Sequence, residues 1–412
     1  MALPPIVALE IGTTKTVALV GEMRDDGNIM VTGMGEHPTT GVRKGEVTDL
    51  ENALVCARAA LHAAEESGQV TIRQVHLALS GGHIQSLVNR GSAPVLDPNG
   101  EITDEDVNQV MNIARAINLP PDREVLHTIC QEFYIDDQEK VVRPEGLEGA
   151  KLSVDMLALF GVRVRLRNTV KVVRSVPMGV QDVAFSGLCS ALAVLTPEQK
   201  EAGVLLIDLG GGTTDYVAYA TNTLAAAGAL GIGGDHVTND VAMAFSIPVR
   251  QAEALKRESG SAVIDLSARS RRISLPSEVG FSAKTISLHA LQTVVHARMD
   301  EILCMIRTRI EPENLLHHIG AGVVLTGGGA RMKEITTLAE KIFGLPCSVG
   351  APRGVSGLAA AIAGPEYATP IGLVRYGFKA AAQAAPQSLL DSWWKKVFGA
   401  RSSRFNKNEG SS

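Results

Sequence analysis

Residues 207–215 of this chain read Ile207-Asp208-Leu209-Gly210-Gly211-Gly212-Thr213-Thr214-Asp215. An acid ends a short apolar run, and three consecutive glycines followed by Thr-Thr-Asp exceed what a plain turn requires. Glycine allows a turn with positive φ and lets backbone N–H groups approach a phosphate closely, while a carboxylate at the end of a strand orients the water shell of Mg²⁺. The stretch therefore predicts a phosphate-binding turn at the end of a strand.

Two other glycine turns each follow a short apolar strand. They read Ala8-Leu9-Glu10-Ile11-Gly12-Thr13-Thr14-Lys15 and Val323-Val324-Leu325-Thr326-Gly327-Gly328-Gly329-Ala330-Arg331, and the first also carries an acid. Taken singly, a glycine run after a strand is more often a hairpin turn than a ligand site. Together they indicate a nucleotide held between two similar halves, which an internal duplication would explain.

In this order and spacing, the three turns resemble the superfamily of actin, sugar kinases and heat-shock chaperone ATPases. The resemblance implies an α/β fold that binds ATP and Mg²⁺, with phosphates on the first two turns and adenosine on the third. It implies that Glu10 and Asp208 hold Mg²⁺ through water. The nucleotide contacts that it implies in these turns are Gly12, Thr13, Thr14, Lys15, Asp208, Gly210, Gly211, Gly212, Thr213, Thr214, Gly327, Gly328, Gly329 and Arg331.

Residues 231–257 contain a further part of the implied site. The loop with Gly233 and Gly234 resembles the superfamily loop that runs under the ribose and phosphates. Glu253, Lys256 and Arg257 resemble residues of a helix whose Glu and Lys hold the ribose and whose neighbouring basic residue lies along the adenine. Taken alone, Lys256 and Arg257 are more typical of a solvated helix face. With the surrounding loops, the nucleotide interpretation is favoured.

Length and charge favour a soluble cytoplasmic protein with at least two domains in its 412 residues. A net charge of −5 argues against nucleic-acid binding. No signal peptide or membrane-spanning run is recognisable. The five cysteines form no C-x-x-C pair, so we expect reduced thiols rather than disulfides or zinc ligands; they are Cys56, Cys130, Cys189, Cys304 and Cys347.

Apolar periodicity gives a coarse order of elements. A hairpin is predicted over 6–10 and 16–22, a helix over 50–67, a strand over 75–80, and a helical region over 170–195. A strand over 203–208 then opens a second copy of the first pattern. Between the copies, polar strands and a helix that begins near Thr103 predict a small inserted domain, and a second, helical insertion follows.

The C-terminal segment 387–399 is separated from the rest by a flexible tether. At about 100° per residue, its apolar side chains fall within one arc, opposite charged and polar ones. The segment is either packed on its own protein or lies in a membrane surface, and the basic residues around it favour an anionic membrane. The membrane residues predicted here are Leu389, Leu390, Trp393, Trp394, Lys395, Lys396, Val397 and Phe398.

The chain also resembles the FtsA family of bacterial cell-division proteins. Besides the glycine turns, the matching stretches include Leu77-Ala78-Leu79-Ser80-Gly81 and Ile371-Gly372-Leu373-Val374-Arg375-Tyr376-Gly377. The resemblance implies head-to-tail filaments on the cytoplasmic face of the inner membrane at the division site. It implies that Arg298 and Glu301 contact the C-terminal tail of the tubulin-like protein FtsZ, and that later division proteins bind an inserted subdomain 1C.

The same resemblance implies an actin-like duplicated fold around a cleft. Its parts are 1A (1–82 and 164–196), 1C (83–163), 2A (197–226 and 304–378, with the return to 1A), 2B (227–303), a linker (379–386), the amphipathic membrane helix (387–399) and a polar tail (400–412). Ser186 occupies the position at which active ATPases place a Gln or Glu that orients the attacking water. Because a serine is a poor base at neutral pH, we expect slow or negligible hydrolysis and assign no catalytic residue.

Two other functions are considered. A small-molecule kinase of the same fold would need an Asp base in the cleft, and no persuasive candidate is found. A pilus-assembly adaptor like PilM shares the 1C insertion but lacks a Trp-rich amphipathic terminus.

Overall fold

The computed structural model describes residues 4–24, 26–277, 280–312 and 314–384. The predicted membrane helix, its eight membrane residues and the polar tail lie outside these ranges, as does the end of the predicted linker. The first part of the chain contains β1 (Ile6–Ile11), β2 (Lys15–Met23), β3 (Ile29–Pro38), β4 (Val42–Arg43), β5 (Glu46–Val47), α1 (Leu50–Gly68) and β6 (Gln74–Leu79). An inserted unit follows, with β7 (Gln85–Pro94), α2 (Asp104–Arg115), β8 (Arg123–Ile135), β9 (Glu139–Val141) and β10 (Lys151–Val162).

The chain then returns to the first unit and enters the second. The return contains α3 (Arg163–Ser175), β11 (Gly179–Phe185), α4 (Ser186–Val194) and α5 (Pro197–Ala202). The second unit contains β12 (Val204–Leu209), β13 (Thr214–Ala220), β14 (Thr223–Leu230), α6 (Gly234–Phe245), α7 (Val249–Ser259), β15 (Arg272–Leu275), β16 (Lys284–Ser287), α8 (Leu288–Ile310), β17 (Val323–Thr326), α9 (Ile335–Phe343) and β18 (Cys347–Val349). The described chain ends with β19 (Val355–Gly357), α10 (Ala359–Ile362) and α11 (Ala368–Ala384).

Two sheets repeat one topology. The first has the order β11-β6-β1-β2-β3-β19, and the second has the order β14-β13-β12-β17-β18. In each, three antiparallel strands are followed by two parallel ones, because β1 pairs in parallel with β6 and β12 with β17. The turns after β1 and β12 also carry the same hydrogen bond, from Gly12 N–H to Lys15 O (3.1 Å) and from Gly210 N–H to Thr213 O (2.9 Å). The structure therefore contains the duplication that the glycine turns predict.

Alternation along β12 places this strand between two hydrophobic cores. Val204 and Leu206 belong to the core that also contains the first sheet, whereas Leu205, Ile207 and Leu209 belong to the core under α6, α7, α8 and α9. Successive side chains of a strand point to opposite faces, so one apolar run serves both cores. The acid Asp208 at the end of this run is thereby held at the junction of the two units.

The helix predicted over 170–195 is wrong in its middle. Pro177 ends α3, because proline cannot donate the next helical hydrogen bond. The chain continues as β11, which pairs in parallel with β6, and only then forms α4. A short apolar run such as Val183-Ala184-Phe185 fits a buried strand as well as a helix, so the apolar periodicity of the sequence does not distinguish the two structures here.

The inserted unit forms its own sheet, in the order β7-β10-β8-β9. Thr103 caps α2 through a reciprocal pair of hydrogen bonds with Asp106, as the Thr103 signal predicts. This sheet also contacts β14 of the second unit: Gln131 Nε2 donates to Leu224 O (2.8 Å), and Ser86 Oγ donates to Ala227 O (2.7 Å). The insertion therefore bridges the two halves.

Four boundaries of the predicted subdomains fall inside regular elements. The boundary at 226/227 cuts β14, whose strand continues to Leu230, and the boundary at 303/304 cuts α8. The boundary at 163/164 lies one residue into α3, and the boundary at 378/379 cuts α11, so residues 379–384 of the predicted flexible linker are helical. The helical part that starts with α6 does follow β14 directly. Within the described ranges, no helix is both long enough and apolar enough to cross a membrane.

The last helix, α11, lies directly on the first unit. A Cβ added to Gly372 would sit 1.6 Å from the backbone oxygen of Cys189 in α4. Only glycine permits an approach this close. The helix contacts β1 and β2 as well, so its position is fixed by the first sheet.

Candidate nucleotide-binding cleft

A cavity of about 880 Å³ lies between the two units. This is within the range of roughly 300–1,000 Å³ that is typical of small-molecule sites. The turns after β1, β12 and β17 line it, together with the start of α6 and the C-terminal half of α7. The three glycine turns, far apart in the chain, thus share one cleft.

Nearly all the predicted nucleotide and metal residues line this cleft. They are Glu10, Gly12, Thr13, Thr14, Lys15, Asp208, Gly210, Gly211, Gly212, Thr213, Gly233, Gly234, Glu253, Lys256, Arg257, Gly327, Gly328, Gly329 and Arg331. The exception is Thr214, which is fully buried and donates a hydrogen bond to Ile232 O (2.8 Å). Thr214 is the first residue of β13, where alternation turns its side chain away from the cleft wall.

The first two turns face each other closely. A Cβ on Gly211 would lie 2.1 Å from Thr14 Oγ1, and one on Gly212 would lie 2.3 Å from Thr13 Oγ1. Glycine is required here by proximity, because any larger side chain would push the two turns apart. Both turns present backbone N–H groups and threonine hydroxyls, which are donors suited to phosphate oxygens.

Lys256 is tied into the cleft wall and is not a solvated side chain. Its ammonium donates to Gly234 O (3.1 Å) and Thr238 Oγ1 (2.9 Å), and it lies 2.6 Å from the carboxylate of Glu253. Thr238 Oγ1 in turn donates to Glu253 (2.5 Å). These contacts hold α7 against the start of α6 and fix the positions of Glu253 and Lys256 in the cleft wall.

Three acids meet at the base of the cleft. Asp208 accepts from Ser190 Oγ (2.5 Å) and Thr369 Oγ1 (3.1 Å), and Asp215 accepts from Ser80 Oγ (2.6 Å). Burial, followed by the charge of Asp208, raises the pKa of Glu10 to about 8. Burial also raises the pKa of Asp208, and burial with the charge of Asp208 raises the pKa of Asp215 well above its usual value.

This acidic group fits a divalent cation. Buried carboxylates that repel one another are stabilised in their charged forms by a nearby positive charge. In the described part of the chain, no three His, Cys, Asp or Glu side chains converge closely enough to hold a metal ion directly. The donor set is therefore compatible with an ion bound through water, as predicted for Glu10 and Asp208.

Several residues of the cleft were not predicted from the sequence. Asp215 stands in the quoted motif but was not selected as a site residue. Tyr367 packs its ring 3.5 Å from the ammonium of Lys15 and donates its hydroxyl to Glu36 (2.8 Å), and Lys15 lies 3.0 Å from Glu36. Tyr367 and Glu36 are 331 residues apart in the chain, and no local pattern connects them.

Ser186 begins α4 and is buried in the cleft wall. The N–H of the preceding Phe185 donates to Nε2 of His127 (3.0 Å), a residue of β8 in the inserted unit. Burial lowers the pKa of His127 to about 4, so its ring is neutral and can accept this bond. The backbone before Ser186 is thereby fixed by the insertion.

Sequence comparisons connect the fold to known proteins. A family model described as "Cell division protein FtsA" matches residues 205–372, and one described as "SHS2 domain inserted in FTSA" matches residues 81–160. A cell division protein FtsA of Pseudomonas aeruginosa is 35% identical over 94% of this chain and 92% of its own length. The FtsA protein of Escherichia coli is 34% identical over 90% of each chain.

The chain belongs to the FtsA family. Membership gives it a role in cell division, at the division site, and confirms the family that the sequence motifs indicate. The SHS2 match confirms that an inserted domain interrupts the fold.

Solved structures confirm the actin-like fold. A PilM–PilN type IV pilus biogenesis complex aligns with a TM-score of 0.64 at 15% identity, covering 90% of this chain and 98% of its own. MreB5 of Spiroplasma citri bound to AMPPNP aligns with a TM-score of 0.53 at 16% identity, covering 93% and 98%. At these identities the likeness concerns the fold alone. This FtsA-family chain therefore has two duplicated units around a cleft, with the insertion in the first.

The two residues predicted to contact FtsZ lie on α8. The guanidinium of Arg298 donates to both carboxylate oxygens of Asp240 on α6 (2.5 and 3.0 Å) and to Glu301 (2.5 Å). A quarter of the Arg298 side chain and half of the Glu301 side chain are exposed. In this FtsA-family protein, Arg298 thus links α8 to α6 through its ion pair with Asp240, and part of its side chain stays exposed to solvent.

Proposed function

We propose that this FtsA-family protein binds ATP with Mg²⁺, polymerises head-to-tail on the cytoplasmic face of the inner membrane, and tethers FtsZ filaments there. The observation that carries the nucleotide part is the pair of matched turns, Gly12–Lys15 and Gly210–Thr213, that face each other across a cleft with acids at its base. A nucleotide between them would contact both halves at once. Its presence would then bias how the halves are oriented.

The Mg²⁺ assignment rests on the acidic group. When bound, Mg²⁺ would neutralise the charge of the nucleotide phosphates. Glu10 and Asp208 would hold its water ligands, and Ser190 and Thr369 fix the orientation of Asp208. The MreB5 structures determined with ADP and with AMPPNP support a nucleotide in a cleft of this fold.

We propose slow hydrolysis. Ser186 stands in the cleft wall at the position expected to orient water, and its hydroxyl is a weak base. Turnover should lie below about 1 s⁻¹, the bottom of the usual enzyme range. Phosphate release by purified protein measures this rate, and a faster rate would mean that another cleft residue, with Asp215 the first to examine, supplies the base.

Membrane attachment is assigned to residues 387–399. Burying a large apolar side chain contributes about 1.5–3 kcal/mol, and a basic residue near anionic lipid contributes about 1 kcal/mol. Ordering each helical residue costs roughly 1–2 kcal/mol, so one segment binds weakly. A filament that carries many segments binds stably through effective concentration.

Partner binding is assigned to two surfaces. The C-terminal tail of FtsZ is proposed to dock along α8 at Arg298 and Glu301, and later division proteins are proposed to bind the inserted unit. Family membership supports both assignments over the alternatives. A PilM-like adaptor is not favoured, because the PilM likeness is one of fold at 15% identity.

Isothermal calorimetry with ATP and Mg²⁺ tests the central claim. We expect one site per chain and a much weaker signal when Mg²⁺ is omitted. The absence of heat in the presence of both would overturn the proposed nucleotide function and leave the membrane function to be tested by itself.

A further inference from the structure

A carboxylate from the segment before α11 reaches the turn after β17. Glu366 belongs to a short 3₁₀ turn, Pro365–Tyr367, and Arg331 ends the turn after β17. Both side chains line the cleft, and Arg331 Nη1 lies 3.1 Å from Glu366 Oε1. We call this contact the Arg331–Glu366 pair. The nucleotide contacts expected from the sequence include Arg331 and give Glu366 no role.

The backbone that carries Glu366 is fixed to the same turn. The carbonyl of Pro365 accepts hydrogen bonds from the N–H of Gly327 (3.1 Å) and from Oγ1 of Thr326 (3.2 Å). The carboxylate itself lies against Gly364, where an added Cβ would be 2.3 Å from Oε2 and 2.6 Å from Oε1. The carboxylate therefore has a fixed base and occupies space that a glycine leaves open.

One oxygen of this carboxylate is buried without a hydrogen bond. Within the part of the chain that the structure describes, Glu366 Oε2 is buried and has no hydrogen-bond partner. Burial of a charged oxygen costs free energy unless a hydrogen bond or an opposite charge offsets it. The side chain of Glu366 is 20% exposed, whereas that of Arg331 is 62% exposed. The pair thus joins a fixed, mostly buried carboxylate to a long side chain in solvent and restricts the rotamers of that side chain.

We propose that Glu366 is a positioning residue that holds the guanidinium of Arg331 where the nucleoside part of the nucleotide binds. The inference rests on the proposed nucleotide function, in which the turn after β17 holds the adenosine. A planar guanidinium stacks on an aromatic ring system, and fixing it beforehand removes the cost of ordering it from the free energy of binding. Glu366 acts through Arg331 and not through a contact of its own with the nucleotide.

Two variants disturb the pair in different ways. Glu366→Gln removes the charge and keeps the shape of the side chain. Gly364→Ala keeps the charge but puts a methyl group in the space of the carboxylate, and the φ of −75° at Gly364 suits alanine. Glu201→Gln, at an exposed position of α5, is the matched control. In calorimetry with ATP and Mg²⁺, we expect both pair variants to bind about two- to fivefold more weakly than the control.

A double-variant cycle separates positioning from a general loosening of the turn. In an Arg331→Gln background, Glu366→Gln should cause no further loss of ATP affinity, because the side chain that Glu366 positions is absent. A loss of the same size in both backgrounds would show that Glu366 acts by another route, and would overturn the inference. Thermal melting checks that each variant is folded.

A readout without nucleotide follows Arg331 directly. Modification of its guanidinium by phenylglyoxal is measured by mass spectrometry in the ATP-free protein. We expect faster modification in both pair variants than in the control, because the guanidinium is released from the carboxylate. An unchanged rate of modification, or a faster rate with unchanged ATP affinity, would overturn the positioning role.

The outcomes separate this inference from the proposed nucleotide function. If the wild type binds ATP and both pair variants bind it as tightly as the control, the inference fails and the nucleotide function stands. If the wild type binds no ATP, both fail.

Discussion

The ammonium of Lys15 lies 3.5 Å from the centroid of the Tyr367 ring, and both side chains reach the carboxylate of Glu36. Lys15 ends the turn after β1, whereas Tyr367 immediately precedes α11. In the proposed complex, a phosphate that recruits Lys15 would draw its ammonium away from an aromatic ring and a carboxylate. The free energy of the proposed nucleotide binding would therefore include the cost of breaking these contacts.

Tyr367→Leu should tighten ATP binding about two- to fivefold, because a cation–π contact at a partly exposed site contributes roughly 0.5–1 kcal/mol. Tyr367→Phe is the matched control, since it keeps the ring and loses only the hydrogen bond to Glu36. Calorimetry on the three proteins measures the difference. Weaker binding by the leucine variant would mean that the ring contacts the nucleotide itself.

Gly211→Val should abolish ATP binding, because its side chain would occupy the space of Thr14 and block the backbone N–H groups of the turn. Gly328→Asp should also abolish binding, although a Cβ there meets only Glu366, at 3.9 Å. The second variant is thus expected to fold normally and to exclude the nucleotide. Gly179→Ala, where the nearest atom is 3.5 Å away, is the control. ATP affinity equal to that of the control in both variants would contradict the cleft assignment.

The stability of the nucleotide-free protein should depend on Glu10. Its pKa is raised from 4.5 to about 8, so between these values the folded state keeps a proton that the unfolded chain releases. The free energy of unfolding then falls as the pH rises through this window. Glu10→Gln should show a shallower decline in thermal melts recorded from about pH 5 to 8. Parallel profiles for the two proteins would show that Glu10 is ionised when folded.

Arg298→Glu should weaken binding of the FtsZ C-terminal peptide at least severalfold, because it reverses a charge at a partly exposed edge and adds a carboxylate beside Asp240 and Glu301. Asp240→Asn is the control, because it removes the ion pair between Arg298 and residue 240 and keeps the arginine. Fluorescence anisotropy measures the affinity, and thermal melting reports whether α8 stays packed. Unchanged affinity in Arg298→Glu would move the FtsZ site elsewhere.

Trp393→Glu should release the protein from anionic vesicles, because it puts a charge in the apolar arc of the predicted membrane segment. Ser392→Glu adds the same charge on the opposite face and should have a much smaller effect. Wild-type binding should rise steeply with protein concentration as filaments form, and fall with added salt. Co-sedimentation decides this. Equal loss in both variants would indicate a simple charge effect.

Deletion of residues 387–412 should leave a folded protein that binds ATP, because the described residues that line the cleft all precede residue 370. The deletion should no longer sediment with vesicles. Undiminished lipid binding would mean that residues 387–399 pack on the protein.

Sequence patterns were most informative where structure is local. The turns at Gly12 and Gly210 follow from an acid, a strand and glycines within a few residues. The hydrogen-bond partners of Asp208 could not be predicted from the sequence, because Ser190 and Thr369 come from α4 and α11, which only the tertiary fold brings together. The sequence motif is continuous, so Thr214 was predicted to belong to the site. The side chains of a strand point alternately to its two faces, and that of Thr214 points away from the cleft. Lys256 lies in the cleft wall, where the resemblance led us to expect it, although its own local pattern is more typical of a solvated helix face.

Helix α11 begins beside Asp208, through Thr369, and lies on α4 and β1 along its length. It therefore turns with the first unit when the second unit rotates. In the proposed membrane-bound state, the first unit would be the stationary part of the molecule and the second unit would be the part that moves. At about 1.5 Å per residue, the 17 residues of α11 span roughly 25 Å. Reorientation of the second unit by a ligand would thus be presented to neighbouring subunits of a filament while the point of attachment stays still.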